Sequence, residues 1–120
     1  MSRLPEAKDC PFCARVADRD YMGRDHETNV VWFKPLNPVT GGHILFTPMS
    51  HVTHHDGNAP FEVSYAFESA SRFALAQGIE DYNLITSSGS FATQTVEHVH
   101  IHLVPRRESD GLLLPWSNQL

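Results

Sequence analysis

The sequence lacks the two features that would direct the protein to a membrane. No apolar run approaches the roughly 20 residues that a membrane-spanning helix requires. The first ten residues also lack the apolar stretch of a secretory signal, because Pro5, Glu6, Lys8 and Asp9 interrupt them. We therefore expect a soluble, cytoplasmic protein that does not bind membranes.

Positive charge is also scarce. Nine Lys and Arg residues stand against 14 Asp and Glu residues, which gives a formal net charge of −5. Proteins that bind nucleic acids without sequence preference neutralise phosphates with many Lys and Arg side chains. The charge therefore argues against a nucleic-acid partner, while a small phosphorylated ligand held by backbone amides and polar side chains remains compatible with it.

The length and the hydrophobic patterning predict one α+β domain over residues 1–120, with a loose polar lead-in at residues 1–9. Residues 60–77 carry apolar side chains at helical spacing, with Pro60 suited to the first turn and Gly78 to the end. The short connections favour an antiparallel sheet. Strands are predicted at residues 28–33, 43–47, 82–86 and 95–104.

Three histidines alternate with apolar residues in the last predicted strand. Because successive strand residues point to opposite faces, His98, His100 and His102 would share one face and the apolar residues between them the other. The apolar face can pack on the helix, which leaves the imidazoles on the open side. Neutral imidazole can act as a nucleophile, bind a metal or move protons near pH 7. A solvated strand face and a polyhistidine metal site are the alternatives.

The loop before this strand supplies many hydrogen-bond donors. Residues 87–95 read Ser-Ser-Gly-Ser-Phe-Ala-Thr-Gln-Thr. Hydroxyl and amide donors beside a nucleophile suit phosphate oxygens, on which negative charge develops during reaction.

These segments resemble the histidine-triad (HIT) superfamily. The similarity covers the run from Tyr82 to Leu103, with its upstream Gln94, and the block Asn37-Pro38-Val39-Thr40-Gly41-Gly42-His43, which is similar to the family's N-P-V-x-x-G-H stretch. With the Cys-x-x-Cys near the start and Leu114-Pro115-Trp116 near the end, it spans nearly the whole chain. The resemblance implies a HIT-like fold with a five-stranded antiparallel sheet, one long helix and a short N-terminal helix. It also implies a homodimer.

The resemblance further implies roles for single residues. His100 matches the nucleophile, which would attack the α-phosphorus of a purine nucleotide and hold it covalently until water hydrolyses the adduct. For Nε2 to attack, the other ring nitrogen should donate its proton to a nearby carbonyl. His43 and His102 match phosphate-site histidines. Gln94 and Thr95 match contacts to the phosphate or leaving group, and Thr95 would relay a proton.

The implied activity is hydrolysis of a nucleoside phosphoramidate, a dinucleoside polyphosphate or another nucleotide conjugate. A nucleotidyltransferase that passes the nucleotide to an acceptor other than water shares the same covalent step. A nucleotide-binding or zinc-binding module whose catalysis has decayed is the alternative outside enzymes. An intact triad speaks against that alternative.

Three positions depart from the family pattern. Pro35 replaces an Asp or Asn that contacts ribose hydroxyls, and Ser87 replaces an Asn or Gln as a shorter donor. Thr93 replaces a Gly, which permits backbone angles that Thr adopts less readily. Asn37 and Ser87 remain substrate-binding candidates. Since none of the departures involves His100, we expect them to change substrate recognition more than reaction type.

Cys10 and Cys13 have the spacing of half a tetrahedral zinc site. His51 and His98 are the candidates for the other two ligands, and HIT relatives with a Cys-Cys-His-His set match all four positions. Four protein ligands leave no open coordination position, so the zinc would be structural. A thiol–disulfide redox pair and two free thiols are the alternatives. The remaining histidines (His26, His54 and His55) are expected on the surface.

Overall fold

A five-stranded antiparallel sheet forms the centre of the protein. The computed structural model describes residues 9–117. The sheet order is β1-β2-β3-β5-β4, and every neighbouring pair is antiparallel. The α+β class with five strands, one long helix and a short N-terminal helix is confirmed. In chain order the elements are α1 (Pro11–Ala17), β1 (Gly23–Asp25), β2 (Val30–Phe33), β3 (Ile44–Pro48), α2 (Ala59–Gln77), β4 (Tyr82–Ile85), a 3-10 turn (Ser90–Ala92) and β5 (Ile101–Pro105).

Helix α2 covers one face of the sheet. Ala66, Ala70 and Ala74 repeat every four residues along it and are fully buried, so the helix approaches the strands closely. Gly78 ends the helix in a left-handed conformation with φ 68°, and its N–H bonds back to the last turn. The prediction of a helix at residues 60–77 is confirmed.

Helix α1 covers part of the opposite face. Its Phe12 ring packs against Phe33 of β2 with ring centroids 5.4 Å apart. The strand register places Phe33 beside Leu45 and Leu45 beside His102, so these three residues form a row across β2, β3 and β5. This face therefore carries the histidines, while the other carries α2.

The last strand begins later than predicted. The sequence predicted residues 95–104, whereas β5 starts at Ile101, so His98 and His100 precede it. The reason is that the backbone here bonds to other partners. The Val99 N–H donates to the Val52 carbonyl at 2.8 Å, and the His100 carbonyl accepts from the Thr86 hydroxyl at 2.7 Å.

The alternation of faces nevertheless persists through this irregular segment. Val99 packs with Val52 and Ala59 near the start of α2, and Ile101 joins the α2 core. His98 and His100, on either side of Val99, point toward Phe12 of α1. The predicted division into an apolar face and a histidine face is confirmed, although only His102 lies on the strand.

Strand β1 was missed by the sequence analysis. It contains only three residues, which is too short for a period of two to be recognised. Gly23 pairs with Trp32, and a Cβ at this position would collide with the Trp32 indole ring. The glycine therefore lets the edge strand lie against a large aromatic side chain.

The predicted lead-in at residues 1–9 lies, apart from Asp9, outside the described residues. Within residues 9–117, neither helix combines the length and apolar character needed to cross a membrane.

Candidate active site and metal cluster

A cleft of about 360 Å³ opens on the sheet face that α1 covers. The row Phe33, Leu45 and His102 lines one side, and Phe12 and Arg15 of α1 line the other. Small-molecule sites have this size and this largely apolar lining with a few polar groups. Five predicted site residues line the cleft together: His43, His100, His102, Thr95 and Asn37.

The backbone fixes the tautomer of His100. Its Nδ1 lies 2.8 Å from the His98 carbonyl oxygen. Because a carbonyl oxygen only accepts, Nδ1 carries the proton and donates it, which leaves the Nε2 lone pair available to the cleft. This is the tautomer that the sequence analysis required of a nucleophile. Burial lowers the pKa of His100, against the opposing effect of its bond to His98, and therefore favours the neutral ring.

The sequence analysis expected the histidines on an open side of the sheet, but the structure encloses them. His98 is fully buried and His100 is only 6% exposed. The Phe12 ring lies edge-on against both imidazoles, with centroids 5.8 Å from His98 and 5.0 Å from His100. The expectation was wrong because α1 covers this face.

His43 and His102 form a second fixed arrangement beside His100. The Val39 N–H donates to His43 Nδ1 at 3.1 Å, so the proton of neutral His43 lies on Nε2. His43 Nε2 then donates to His102 Nδ1 at 2.9 Å, which places the proton of neutral His102 on its own Nε2. Burial, followed by the neighbouring His100 and His43, lowers the pKa of His102 to about 4. The cleft therefore combines a neutral imidazole whose Nε2 carries a lone pair, that of His100, with a neutral N–H donor, that of His102.

The side chain of Gln94 forms hydrogen bonds with the backbone of the donor-rich loop and of the residue that follows it. Gln94 Oε1 accepts from the Gly89 N–H at 2.8 Å, and its Nε2 donates to the Val96 carbonyl at 3.0 Å. Thr93 adopts φ 67° in the left-handed region, where the family pattern has Gly. Gln94 and Ser87 lie outside the residues that line the cleft.

Three residues near the site were missed or misplaced by the sequence analysis. Phe12 and Arg15 line the cleft, but a seven-residue helix is too short for its faces to be recognised from periodicity. A signal for Phe12 was its position between two predicted metal ligands. His54 was expected on the surface but is half-buried, with Nε2 3.3 Å from the Thr86 hydroxyl that supports the His100 carbonyl.

The predicted zinc ligands converge next to the cleft. The atoms Cys10 Sγ and His98 Nδ1 are 3.4 Å apart, and Cys13 Sγ lies 3.3 Å from His51 Nδ1 and 3.5 Å from His98 Nδ1. All four ligand atoms lie within 4.8 Å of one another. Tetrahedral zinc with normal bond lengths would hold a sulfur and a nitrogen about 3.6 Å apart. The cluster can therefore hold a metal ion.

The protonation of these side chains also suits a metal. His98 Nε2 donates to the Pro48 carbonyl at 2.8 Å, so its Nδ1 presents a lone pair to the sulfurs. Burial, followed by Cys10, raises the pKa of the Cys13 thiol to about 12, which disfavours a thiolate unless a cation is present. The βαβ context of a thioredoxin-like redox pair is absent from residues 9–117, because the sheet is entirely antiparallel.

Comparison with known proteins agrees with this geometry. The HIT domain family matches residues 18–109. Adenosine 5'-monophosphoramidase HNT1 of Saccharomyces cerevisiae is 34% identical over 113 residues, covering 92% of this chain and 71% of that protein. Adenylylsulfatase HINT3 of Arabidopsis thaliana is 27% identical over 116 residues, covering 92% of this chain but only 57% of its own length. A Zn-bound histidine triad family protein from Mycobacterium smegmatis has a TM-score of 0.71 at 27% identity, covering 90% of this chain and 82% of that chain.

Proposed function

The chain belongs to the HIT domain family, and from that premise we propose that it is a nucleotide hydrolase acting at the α-phosphate through a covalent nucleotidyl-His100. The observation that carries the proposal is the hydrogen bond from His100 Nδ1 to the His98 carbonyl. It leaves Nε2 as the nitrogen that can attack, in a neutral ring that lines the cleft.

The reaction proceeds in two displacements. In the first, the His100 Nε2 lone pair forms a bond to the α-phosphorus while the bond to the leaving group breaks. Thr95, which lines the cleft, relays a solvent proton to the leaving group. In the second, water attacks the phosphorus, the N–P bond breaks and the nucleoside monophosphate leaves. The proton that water loses returns to solvent, so His100 is regenerated in its starting tautomer.

His102 and His43 stabilise the charge that develops on the phosphate oxygens. Since His43 fixes the proton of neutral His102 on Nε2, His102 offers a donor beside the attacking nitrogen. A donor held in place before reaction lowers the barrier without reorganisation. Gln94 acts indirectly, by holding the ends of the phosphate loop together.

The substrate is a purine nucleotide conjugate such as a nucleoside phosphoramidate or a dinucleoside polyphosphate. The apolar lining, which includes Phe33 and Leu45, suits a base, and Asn37 is the amide side chain at the cleft. Pro35 also lines it and offers no side-chain acceptor to ribose hydroxyls. Two relatives, named as an adenosine 5'-monophosphoramidase and an adenylylsulfatase, support this class.

Zinc bound to Cys10, Cys13, His51 and His98 would be structural. Four protein ligands leave no coordination position for substrate or water. The ion would supply cross-linking rather than chemistry, since it would join the N-terminal end of α1 to the segments that carry His51 and His98.

We also propose that residues 1–120 form one domain that works as a cytoplasmic homodimer. Large apolar side chains on the surface support the dimer, including Phe61, Leu75 and Leu113. Light scattering on the purified protein tests it, and a monomer mass at micromolar concentration would refute it.

Steady-state kinetics test the activity. The wild type is compared with His100→Ala on adenosine and guanosine phosphoramidates and on diadenosine polyphosphates, with release of monophosphate as the readout. The matched control is His55→Ala, because His55 is an exposed histidine outside the cleft. We expect His100→Ala to lose at least about a thousandfold in kcat while still binding nucleotide, and His55→Ala to be unchanged. Binding without turnover by every variant would contradict the hydrolase and favour a binding module.

A further inference from the structure

Arg15 is a cation at the cleft to which the proposed reaction assigns no role. It lies on α1, lines the cleft, and its side chain is only 24% exposed. The guanidinium carbon lies 4.5 Å from the centre of the Phe33 ring, so the planar group is held over the aromatic face. Arg15 is therefore positioned by packing.

The position of Arg15 relative to the histidines follows from the strand register. Phe33 beneath it is followed across the sheet by Leu45 and then by His102. Two strand spacings separate Phe33 from His102, about 10 Å. This is comparable to the separation between the phosphate and the far edge of the base in a purine nucleotide. When the phosphate lies at the histidines, the base extends toward Arg15.

The hydrogen-bond donors of Arg15 are largely available to a ligand. Within residues 9–117 its charged partner is Asp20, whose Oδ2 lies 3.7 Å from Nη1, which is too long for a hydrogen bond. The Asp20 side chain is 70% exposed, so water screens the pair. Acidic residues are absent from the described lining of the cleft. The site therefore favours acceptor groups on the ligand.

Resting on the proposed function, we propose that Arg15 is a specificity-determining residue that selects guanine over adenine in the nucleotide. The guanidinium presents paired N–H donors in a rigid fork. Guanine offers two acceptors, O6 and N7, on one edge, whereas adenine offers N7 beside an amino donor that opposes the fork. Adenine would leave donors of Arg15 unsatisfied in a largely buried position.

The test is the ratio of kcat/KM for guanosine and adenosine 5'-phosphoramidates. The variants are Arg15→Leu, which removes the donors, and Arg15→Lys, which keeps the charge without the fork. The control is Arg72→Leu, because Arg72 pairs with Glu68 on the exposed side of α2, on the other face of the sheet. We expect the wild type and the control to favour guanosine by about tenfold or more. In both Arg15 variants the ratio should fall close to one, through loss on guanosine.

Three kinetic results would overturn the inference. The first is equal kcat/KM of the wild type for the guanosine and adenosine substrates. The second is a parallel fall in kcat/KM for both substrates in Arg15→Leu, with their ratio unchanged. The third is an undiminished preference for guanosine in Arg15→Lys, which would indicate that Arg15 acts as a point charge for a second anionic group.

Equilibrium binding of GMP and AMP separates this inference from the proposed function. Preferential GMP binding that Arg15→Leu abolishes, without turnover, would support base selection and refute the hydrolase. Turnover of both substrates with equal efficiency would support the hydrolase and refute base selection by Arg15.

Discussion

At the scale of single residues, the backbone assigns different roles to chemically identical side chains. A carbonyl accepts from Nδ1 of His100, so the lone pair of the ring lies on Nε2, where the proposed reaction needs it. An amide donates to Nδ1 of His43, so the His43 proton lies on Nε2. His43 Nε2 donates to His102 Nδ1, which places the His102 proton on Nε2 and makes that nitrogen a donor. The row of histidines was visible in the sequence, but these tautomers depend on contacts to Val39 and to the His98 carbonyl that only the fold creates.

The same contacts predict the pH dependence of the reaction. His102 must be neutral, because protonation of Nδ1 would remove the acceptor for His43. Its pKa is lowered to about 4, chiefly by burial, and burial also lowers the pKa of His43. Burial lowers the pKa of His100 as well, so we expect kcat/KM to stay nearly constant above neutral pH and to decline with a midpoint below the ordinary histidine value. A decline centred near the ordinary histidine value of about 6.5 would contradict this arrangement.

Stability must be followed in parallel, since it falls over the same range. Buried histidines whose pKa is lower in the folded than in the unfolded state stabilise the protein fully above the unfolded value. That stabilisation is lost as the pH falls from about 6.5 through the folded value. Return of full activity after a brief exposure to low pH and readjustment to pH 7 would separate titration of the site from unfolding.

Phe12 is predicted to connect packing with activity. It is buried against Phe33 and lies edge-on to His100. We expect Phe12→Ala to lower the free energy of unfolding by about 3 kcal/mol through the cavity that it leaves, and to reduce kcat because His100 loses a neighbour. The control is Phe91→Ala, whose side chain is fully exposed and which should change stability by less than about 0.5 kcal/mol. Chemical denaturation and steady-state kinetics measure both effects, and equal stabilities of the two variants would be inconsistent with the packing of α1.

At the scale of elements, predictability followed the length of the repeating pattern. Eighteen residues of helical periodicity, residues 60–77, predicted α2 to within one residue. Strands β2, β3 and β4 were found to within one or two residues at each end. The three-residue β1 offered no period. The start of β5 depends on Thr86, whose hydroxyl bonds a carbonyl that a strand partner would otherwise have taken.

The close approach of α2 to the sheet can be tested by enlarging a buried side chain of the helix. Ala70 is fully buried against the strands, so Ala70→Leu must displace packed side chains, at a cost of about 1–3 kcal/mol in the free energy of unfolding. Ala76→Leu makes the same change at an exposed position of the same helix and should be nearly neutral. Thermal unfolding of the two variants compares them directly. Equal melting temperatures would contradict the close packing of this face.

At the scale of the whole molecule, the metal cluster and the cleft share α1. Cys10 and Cys13 are at its N-terminal end, and Phe12 between them contacts the His100 ring. The sequence predicted the cluster of two cysteines and two histidines, but it did not predict that α1, which carries the cysteines, would cover the cleft. An open histidine face was therefore expected where the structure has an enclosed one.

Removal of zinc should consequently affect both stability and activity. We expect one zinc per chain by elemental analysis, and a lower melting temperature with a higher KM after chelation, because α1 is no longer joined to His51 and His98. Zinc should restore both properties, whereas magnesium should not, since it prefers oxygen ligands. Full activity and an unchanged melting temperature in metal-free protein would exclude this structural role.

The covalent nucleotidyl-His100 is the central claim, and the stereochemistry at phosphorus tests it most directly. A nucleoside phosphoramidate made chiral at phosphorus with sulfur is hydrolysed by the wild type in water enriched in ¹⁸O, and the configuration of the product is determined. Each displacement inverts the phosphorus, so two displacements through His100 predict overall retention. Inversion would mean that water attacks the substrate directly, and His100 would then not be a nucleophile.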